Sequence, residues 1–159
     1  MPNLSVTSSL FAEHETIPKS AAHSMAGGDN ISPDLSWSAG PSGTTSYAVT
    51  CHDPDAPTPV GFTHWVLFNI DGATTSIEAG AGAASKNPPG SVLGFTDWGV
   101  SEYGGMAPPP GDPPHHYQFS VCALDTKLDL GPTTTLAMLH FMMRGHILAE
   151  GRLTGLFGM

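Results

Sequence analysis

The chain has 159 residues, a length typical of one hydrophobic core, so we expect a single domain over residues 1–159. Its 19 glycines and 15 prolines exclude a coiled coil or a helical bundle, because both residues break helix interiors. Only 12% of the residues are charged, and the net charge is −9. A chain this acidic repels phosphate backbones, so nucleic acid is not an expected partner.

Short apolar stretches alternate with turn-rich segments, which is typical of a mostly β domain with antiparallel strands. In chain order, the predicted strands are residues 4–11, a short strand near Leu35–Trp37, and residues 46–52, 63–70, 116–124 and 151–157. One helix is predicted near residues 134–144, behind a threonine-rich start and before Gly145. Its residues at helical spacing are Leu136, Leu139, His140 and Met143.

The segment 79–114 is dense in glycine and proline and carries no predicted element. A long irregular stretch in a compact domain is more often functional than idle. Within it, residues 104–114 (GGMAPPPGDPP) predict a loop of fixed shape. Glycine lets a ligand approach the backbone closely, and proline keeps the wall of a pocket stiff.

No apolar run approaches the roughly 20 residues that cross a bilayer, so we expect no stable membrane insertion. The first residues, MPNLSVTSSL, lack the basic segment and apolar core of a secretory signal peptide. These patterns predict a cytoplasmic location.

Cys51 and Cys122 stand far apart in apolar surroundings, and we expect both to be buried and reduced.

Polar side chains stand where the predicted strands meet the loops. Alternation along the strand 46–52 places Asp53 on the same face as Val49 and Cys51. A carboxylate at the end of an apolar stripe lies at the rim or floor of a pocket. The alternative is ordinary turn chemistry, because Asp and Pro are common turn residues.

His64 opens the strand 63–70 and, by strict alternation, shares a face with Val66, Phe68 and Ile70. Two interpretations stay open for it: a pocket histidine, or a strand-end histidine that is hydrogen-bonded to the backbone.

His115 and Tyr117 form a second pair on one strand face, whereas His116 points to the opposite face. For Tyr117 alone, a core tyrosine with a satisfied hydroxyl group is the default interpretation.

The eight histidines show no short spacing typical of zinc ligands, and we predict neither a metal site nor a cofactor. The nucleophile elbow, the zinc-protease motif and the Walker loop are all absent from the sequence.

Longer motifs run through the chain: NISPDLSW at 30–37, SYAVT at 46–50, DPDAP at 53–57, HWVLFNI at 64–70, YGG at 103–105, PPPGD at 108–112, His115 with Tyr117, ALD at 123–125 and GHILAE at 145–150. In these motifs the chain resembles the phosphatidylethanolamine-binding protein family, in its bacterial Raf-kinase-inhibitor-like branch. The resemblance covers residues 4–157.

The resemblance implies a mostly β fold, in which a large antiparallel sheet packs on a smaller sheet, with a C-terminal helix. It also implies a small pocket that binds anions such as phosphate groups. The implied ligand-binding residues are Asp53, Asp55, Pro57, His64, Gly105, Ala107, Pro108, Pro109, His115 and Tyr117. A cis peptide bond between Ala56 and Pro57 is implied as well.

The expected function is therefore a small-ligand-binding protein with an anion pocket for phosphate-bearing compounds or phospholipid head groups, with a regulatory role. The alternative is a protein-interaction module that inhibits a kinase or another enzyme through the pocket rim.

Hydrolysis is a third hypothesis, because Asp53, His64 and His115 suit acid–base chemistry. No nucleophile accompanies them, so we predict a binding protein rather than an enzyme. The resemblance also makes a homodimer one candidate assembly.

Three positions depart from the family pattern. Met106 replaces the usual proline of the loop, and Phe62 replaces a frequent tryptophan. His116 stands where an arginine normally separates the pocket histidine from the tyrosine. We expect Met106 to loosen or widen the loop and His116 to remove a permanent positive charge beside the site.

Overall fold

Two antiparallel sheets and one α-helix build the fold in the computed structural model, which describes residues 1–159. The elements are β1 (Val6–Thr7), β2 (Leu35–Trp37), β3 (Ser46–Asp53), β4 (Phe62–Asp71), β5 (Ser76–Ile77), β6 (Val92–Leu93), β7 (His115–Leu124), α1 (Leu136–Met143) and β8 (Ile147–Phe157). The large sheet has the order β6-β4-β3-β7-β8, and the small sheet has the order β1-β2-β5.

Two hydrophobic clusters lie on opposite faces of the large sheet. The larger cluster takes Val49 and Cys51 from β3 and Leu35 from β2, so it fills the space between the sheets. The smaller cluster joins Ala48 of β3 to Leu139 of α1. Successive β3 residues therefore pack into different layers, which explains why seven of the eight residues of this strand are buried.

The predicted fold class is confirmed: a large antiparallel sheet packs on a smaller one, with one α-helix near the C-terminus. The helix is not terminal, because β8 follows it and extends four residues further toward the N-terminus than the predicted strand 151–157. Cys51 and Cys122 are buried and form no disulfide, as expected. No helix in the structure has the length and hydropathy needed to cross a bilayer.

Helix α1 begins and ends close to its predicted limits. The Thr135 hydroxyl accepts a hydrogen bond from the backbone N–H of Met138 at 3.2 Å, as an N-cap does. Leu139 and Met143 are buried against the sheet. The expectation that His140 shares their face is wrong: His140 follows Leu139 around the helix and is exposed.

The predicted strand 4–11 is wrong over most of its length, because only Val6–Thr7 pairs with β2. The flanking backbone instead binds the outer edge of β8. The N–H of Leu4 donates to Glu150 O at 2.8 Å, and the N–H of Ile17 donates to Leu156 O at 2.8 Å. Irregular chain thus satisfies the backbone groups that an open sheet edge would expose.

Strand β4 does not alternate strictly, because it carries two β-bulges. At the first, His64 is an extra residue between the ladder positions Thr63 and Trp65. A bulge reverses the alternation. The prediction that His64 shares a face with Val66 and Phe68 is therefore wrong: those two residues belong to the cluster beneath α1.

The second bulge lies at Asn69, which adopts a left-handed backbone with φ of 59°. Its side-chain amide donates to Leu128 O and accepts from the N–H of Leu128, both at 2.8 Å. The bulge returns Ile70 to the cluster between the sheets. Asparagine suits the position because it tolerates this conformation better than most residues.

Replacing Asn69 by alanine should lower the free energy of unfolding by roughly 2–3 kcal/mol, because left-handed strain is added and the Leu128 backbone loses its partners. Asn69→Gly removes the same hydrogen bonds without the strain, so its loss should be smaller by about 1 kcal/mol. Urea unfolding followed by circular dichroism measures both variants. Equal losses in the two would contradict the role of backbone strain.

Candidate functional site

A cavity of about 260 Å³ opens where the end of β3 meets the starts of β4 and β7. Its lining residues are Asp53, Ala56, Pro57, Thr58, Phe62, His64, Trp98, Ala107, Pro108, Pro109, His115 and Tyr117. The ionisable side chains come from the strands, and much of the apolar wall comes from the loops. The bulge in β4 brings His64 to this cavity.

Eight of the ten predicted ligand-binding residues line the cavity: Asp53, Pro57, His64, Ala107, Pro108, Pro109, His115 and Tyr117. The structure brings these residues together, and their contact with a ligand stays a prediction. Asp55 and Gly105 do not line the cavity.

Asp55 and Gly105 are engaged by other segments of the chain, and their contact with a ligand stays a prediction. The Asp55 carboxylate binds the backbone N–H and the ring Nδ1 of His116, both at 2.7 Å, on the outer face of β7. The N–H of Gly105 donates to Asn30 Oδ1 at 2.7 Å. A Cβ at Gly105 would clash with the backbone at Ala21, so glycine lets these segments approach closely. Both residues support the cavity from outside.

The polar centre of the cavity is the imidazole of His115, which lies between two carboxylates. Its Nδ1 is 2.7 Å from Asp53 Oδ2, and its Nε2 is 2.9 Å from Asp112 Oδ2. The other oxygen of Asp53 accepts the N–H of Asp55 at 2.8 Å. Asp53 is 2% exposed, so its charge is stabilised by these hydrogen bonds rather than by solvent.

Burial alone would lower the pKa of His115, but the hydrogen bonds and charges of Asp53 and Asp112 outweigh it and raise that pKa above its ordinary value. The imidazolium is therefore favoured in the folded protein. By linkage, this group stabilises the fold below its unfolded pKa of about 6.5, and that contribution is lost as the pH rises through the raised folded pKa.

His64 has the opposite electrostatic character. Burial lowers its pKa to about 4, while the backbone at Gly104 and the carboxylate of Asp53 raise it by smaller amounts and His52 lowers it slightly. Its Nδ1 lies 2.7 Å from Gly104 O, so the neutral ring carries its proton there. The nitrogen left for a ligand is Nε2, which is an acceptor until His64 takes up a second proton.

Tyr117 is 1% exposed, and its ring is 5.2 Å from that of His64. Burial raises the pKa of Tyr117, and the negative charge of Asp53 raises it further. The phenol therefore remains protonated at physiological pH and is available as a hydrogen-bond donor.

An aromatic wall that the sequence analysis did not assign completes the cavity. The Trp98 ring stacks on His23 with 4.0 Å between centroids, and Phe62 meets Trp98 edge-on at 5.2 Å. Gly104 permits this packing, because a Cβ there would clash with the Trp98 ring. Trp98 is the one tryptophan in the glycine- and proline-rich segment 79–114, and this position was the sequence feature that could have indicated the wall.

Two further expectations are corrected at the loops. Met106 is 1% exposed in the cluster between the sheets, so it anchors the loop rather than widening it. All peptide bonds are trans, including Ala56–Pro57. The trans isomer is the one that bonds to proline prefer by about 0.5–1 kcal/mol.

His116 points away from the cavity, as alternation along β7 predicts. Its ring pairs with Asp55 at the surface, and it does not line the cavity. The replacement of the usual arginine by His116 therefore alters the charge on the outer face of the sheet and not in the cavity.

Comparisons with known proteins agree with this architecture. A sequence profile of the phosphatidylethanolamine-binding protein family matches residues 7–158. YbcL of Escherichia coli (strain K12) is 40% identical over 157 residues, which cover 96% of this chain and 86% of that protein. YbhB of the same strain is 43% identical over 132 residues, which cover 82% of this chain and 83% of that protein.

Solved structures give the same result. The crystal structure of Escherichia coli YbcL, described as a new member of the mammalian PEBP family, matches with a TM-score of 0.94 at 39% identity and 99% coverage of both chains. The homologue CT736 of Chlamydia trachomatis matches with a TM-score of 0.86 at 29% identity, over 100% of this chain and 99% of that chain. The chain belongs to the phosphatidylethanolamine-binding protein family.

The lowered pKa of His64 predicts a specific pH dependence of stability. Below pH 6.5 the unfolded chain takes up a proton at His64 before the folded protein does, because the folded pKa is about 4. The contribution of His64 is therefore complete above pH 6.5 and falls by roughly 3 kcal/mol as the pH approaches 4.

Urea unfolding of the wild type and His64→Asn across this pH range tests the effect. The asparagine amide can still donate to Gly104 O but does not titrate. The stability advantage of the wild type over the variant should shrink as the pH falls, and taking the difference cancels the contribution of His115. A constant difference between the two proteins from pH 7 to pH 4 would show that His64 titrates normally.

Proposed function

We propose that the cavity binds an oxyanion, as inorganic phosphate or as the phosphate group of a small ester. The observation that carries the proposal is the buried His115 imidazole, which is held between two carboxylates and lies beside the Tyr117 ring in the same cavity lining. The cavity volume of about 260 Å³ suits a head group better than a drug-sized molecule, which needs roughly 300–1,000 Å³.

The donors favour tetrahedral oxyanions. A protonated imidazole makes charge-assisted hydrogen bonds to phosphate oxygens, and these are about twice as strong as neutral ones. The Tyr117 hydroxyl supplies a second donor from the same strand face. Asp53 holds Nδ1 of His115, and its charge favours the positively charged ring that an anion needs.

The acidic charges limit the affinity. The whole chain carries −9, and Asp53 places a negative charge at the floor of the cavity. Both oppose the approach of an anion. We therefore expect modest binding, driven by local hydrogen bonds rather than by the overall field.

The cavity favours binding over catalysis. Thr58 carries the aliphatic hydroxyl of the lining, and this hydroxyl donates to Gly61 O rather than to a histidine. The nucleophile–base pair required for covalent catalysis is therefore not formed by this group.

Inorganic phosphate should raise the melting temperature of the wild type but not that of His115→Gln, which loses the charged donor. His146→Gln is the matched control, because His146 also pairs with an aspartate at 2.7 Å but belongs to the loop near the opposite end of β7. Thermal shift and calorimetry measure both effects. Equal phosphate-induced shifts in the wild type and His115→Gln would count against this site.

Anion affinity should also rise as the pH falls from 6.5 to 5, because protonated His64 turns its Nε2 from an acceptor into a donor. Sulfate is the appropriate probe, since its charge stays constant over this range. Proton linkage at one group allows the sulfate affinity to rise by up to about tenfold for each pH unit that the pH falls. Calorimetric titrations should show the gain in the wild type and its loss in His64→Asn; identical pH profiles would exclude His64 as a ligand contact.

A further inference from the structure

We infer that Asp112 is an intramolecular competitor for the anion site: its carboxylate holds Nε2 of His115 in the free protein, and an oxyanion binds by displacing it. This inference rests on the proposed function, because it concerns what controls access to the same cavity.

Both nitrogens of His115 are engaged before any ligand arrives. Asp53 holds Nδ1 at 2.7 Å, and Asp112 holds Nε2 at 2.9 Å. An imidazolium has two N–H groups, so no donor remains for a third acceptor. A phosphate oxygen must therefore take the place of one carboxylate oxygen or bind without His115.

The two carboxylates differ in how easily they can leave. The Asp53 side chain is 3% exposed, and its second oxygen is already bound to the N–H of Asp55. Displacing it would break a buried ion pair and leave the Asp53 charge with one backbone N–H as its partner. The Asp112 side chain is 40% exposed, and its hydrogen bond to His115 is the one bond that its carboxylate makes. Asp112 can turn into solvent at little cost.

The backbone at Asp112 also favours this exchange. The N–H of Asp112 donates to Pro109 O at 3.3 Å, and Gly111 has a φ of 90°, which together form a Pro-Gly turn. The turn holds the backbone of Asp112 beside the cavity wall, to which Pro109 contributes. A rotation of the Asp112 side chain alone breaks its bond to His115, so the stiff loop need not open.

The position of the Asp112 carboxylate defines the competition. Its Oδ2 atom stands at hydrogen-bond distance from the donor that an oxyanion would use, and it carries the same sign of charge. Because it is tethered three residues from His115, it acts at a high effective concentration. The hydrogen bond between Asp112 and His115 stabilises the free protein. Because an anion must break this bond to reach His115, the same bond weakens anion binding.

Calorimetric titration with inorganic phosphate tests the inference in the wild type, Asp112→Asn and Asp112→Ala. Asp112→Ala should bind phosphate roughly five- to tenfold more tightly, because a half-exposed, charge-assisted bond no longer competes. Asp112→Asn should lie between the two, since its amide oxygen can still accept from His115 without the charge.

Asp125→Asn is the matched control for charge. Asp125 is exposed to nearly the same degree as Asp112, pairs with His146 at 2.7 Å, and follows the far end of β7. The substitution changes the net charge by the same amount as Asp112→Asn. Its phosphate affinity should stay within about twofold of the wild type, because distant surface charges are screened.

Stability without phosphate provides a second measurement that a purely structural role would not reproduce. Asp112→Ala should melt at a lower temperature than the wild type in the absence of anion, yet bind phosphate more tightly. A merely structural aspartate would, on removal, lower both stability and affinity.

The outcomes separate this inference from the function on which it rests. Phosphate binding to the wild type with unchanged or weaker affinity in both Asp112 variants would overturn the role of Asp112 and leave the anion site in place. An absence of phosphate binding in every protein, including Asp112→Ala, would overturn the anion site and the competitor together.

Discussion

The buried bond between Asp53 and His115 is the interaction on which the site depends. It joins the last residue of β3 to the first residue of β7, so two central strands of the large sheet end at one polar centre. Burial makes the pair costly to separate, because either partner alone would leave an unpaired charge in the interior. The orientation of the His115 ring and the position available to Asp112 both follow from this pair.

Regular strands made part of the site predictable from the sequence. β7 alternates without a bulge from His115 to Ala123, so the shared face of His115 and Tyr117 could be derived from spacing alone. His64 could not be derived in this way, because the bulge in β4 inserts it between two ladder positions. Strict alternation assigns it to the wrong face, and the resemblance to a family was the information that placed it in the pocket.

Loop contributions were predictable only as a region. The glycine- and proline-rich segment 79–114 indicates function, and it supplies Trp98 and the Ala107–Pro109 wall. The particular contacts depend on how distant segments pack against each other, as His23 does against Trp98. No local sequence pattern predicts such packing. The same limit explains the predicted strand 4–11: Leu4, Val6 and Phe11 are buried, but only Val6–Thr7 pairs with β2 and the Leu4 backbone bonds to the edge of β8.

The position of Trp98 gives the protein an intrinsic optical reporter. Trp37 and Trp65 lie in the cluster between the sheets, remote from solvent, whereas Trp98 borders the cavity and stacks on His23. Emission from the first two reports the integrity of the interior, and emission from the third responds to what enters the cavity. Occupancy and unfolding can therefore be followed as separate spectral changes in one unlabelled sample.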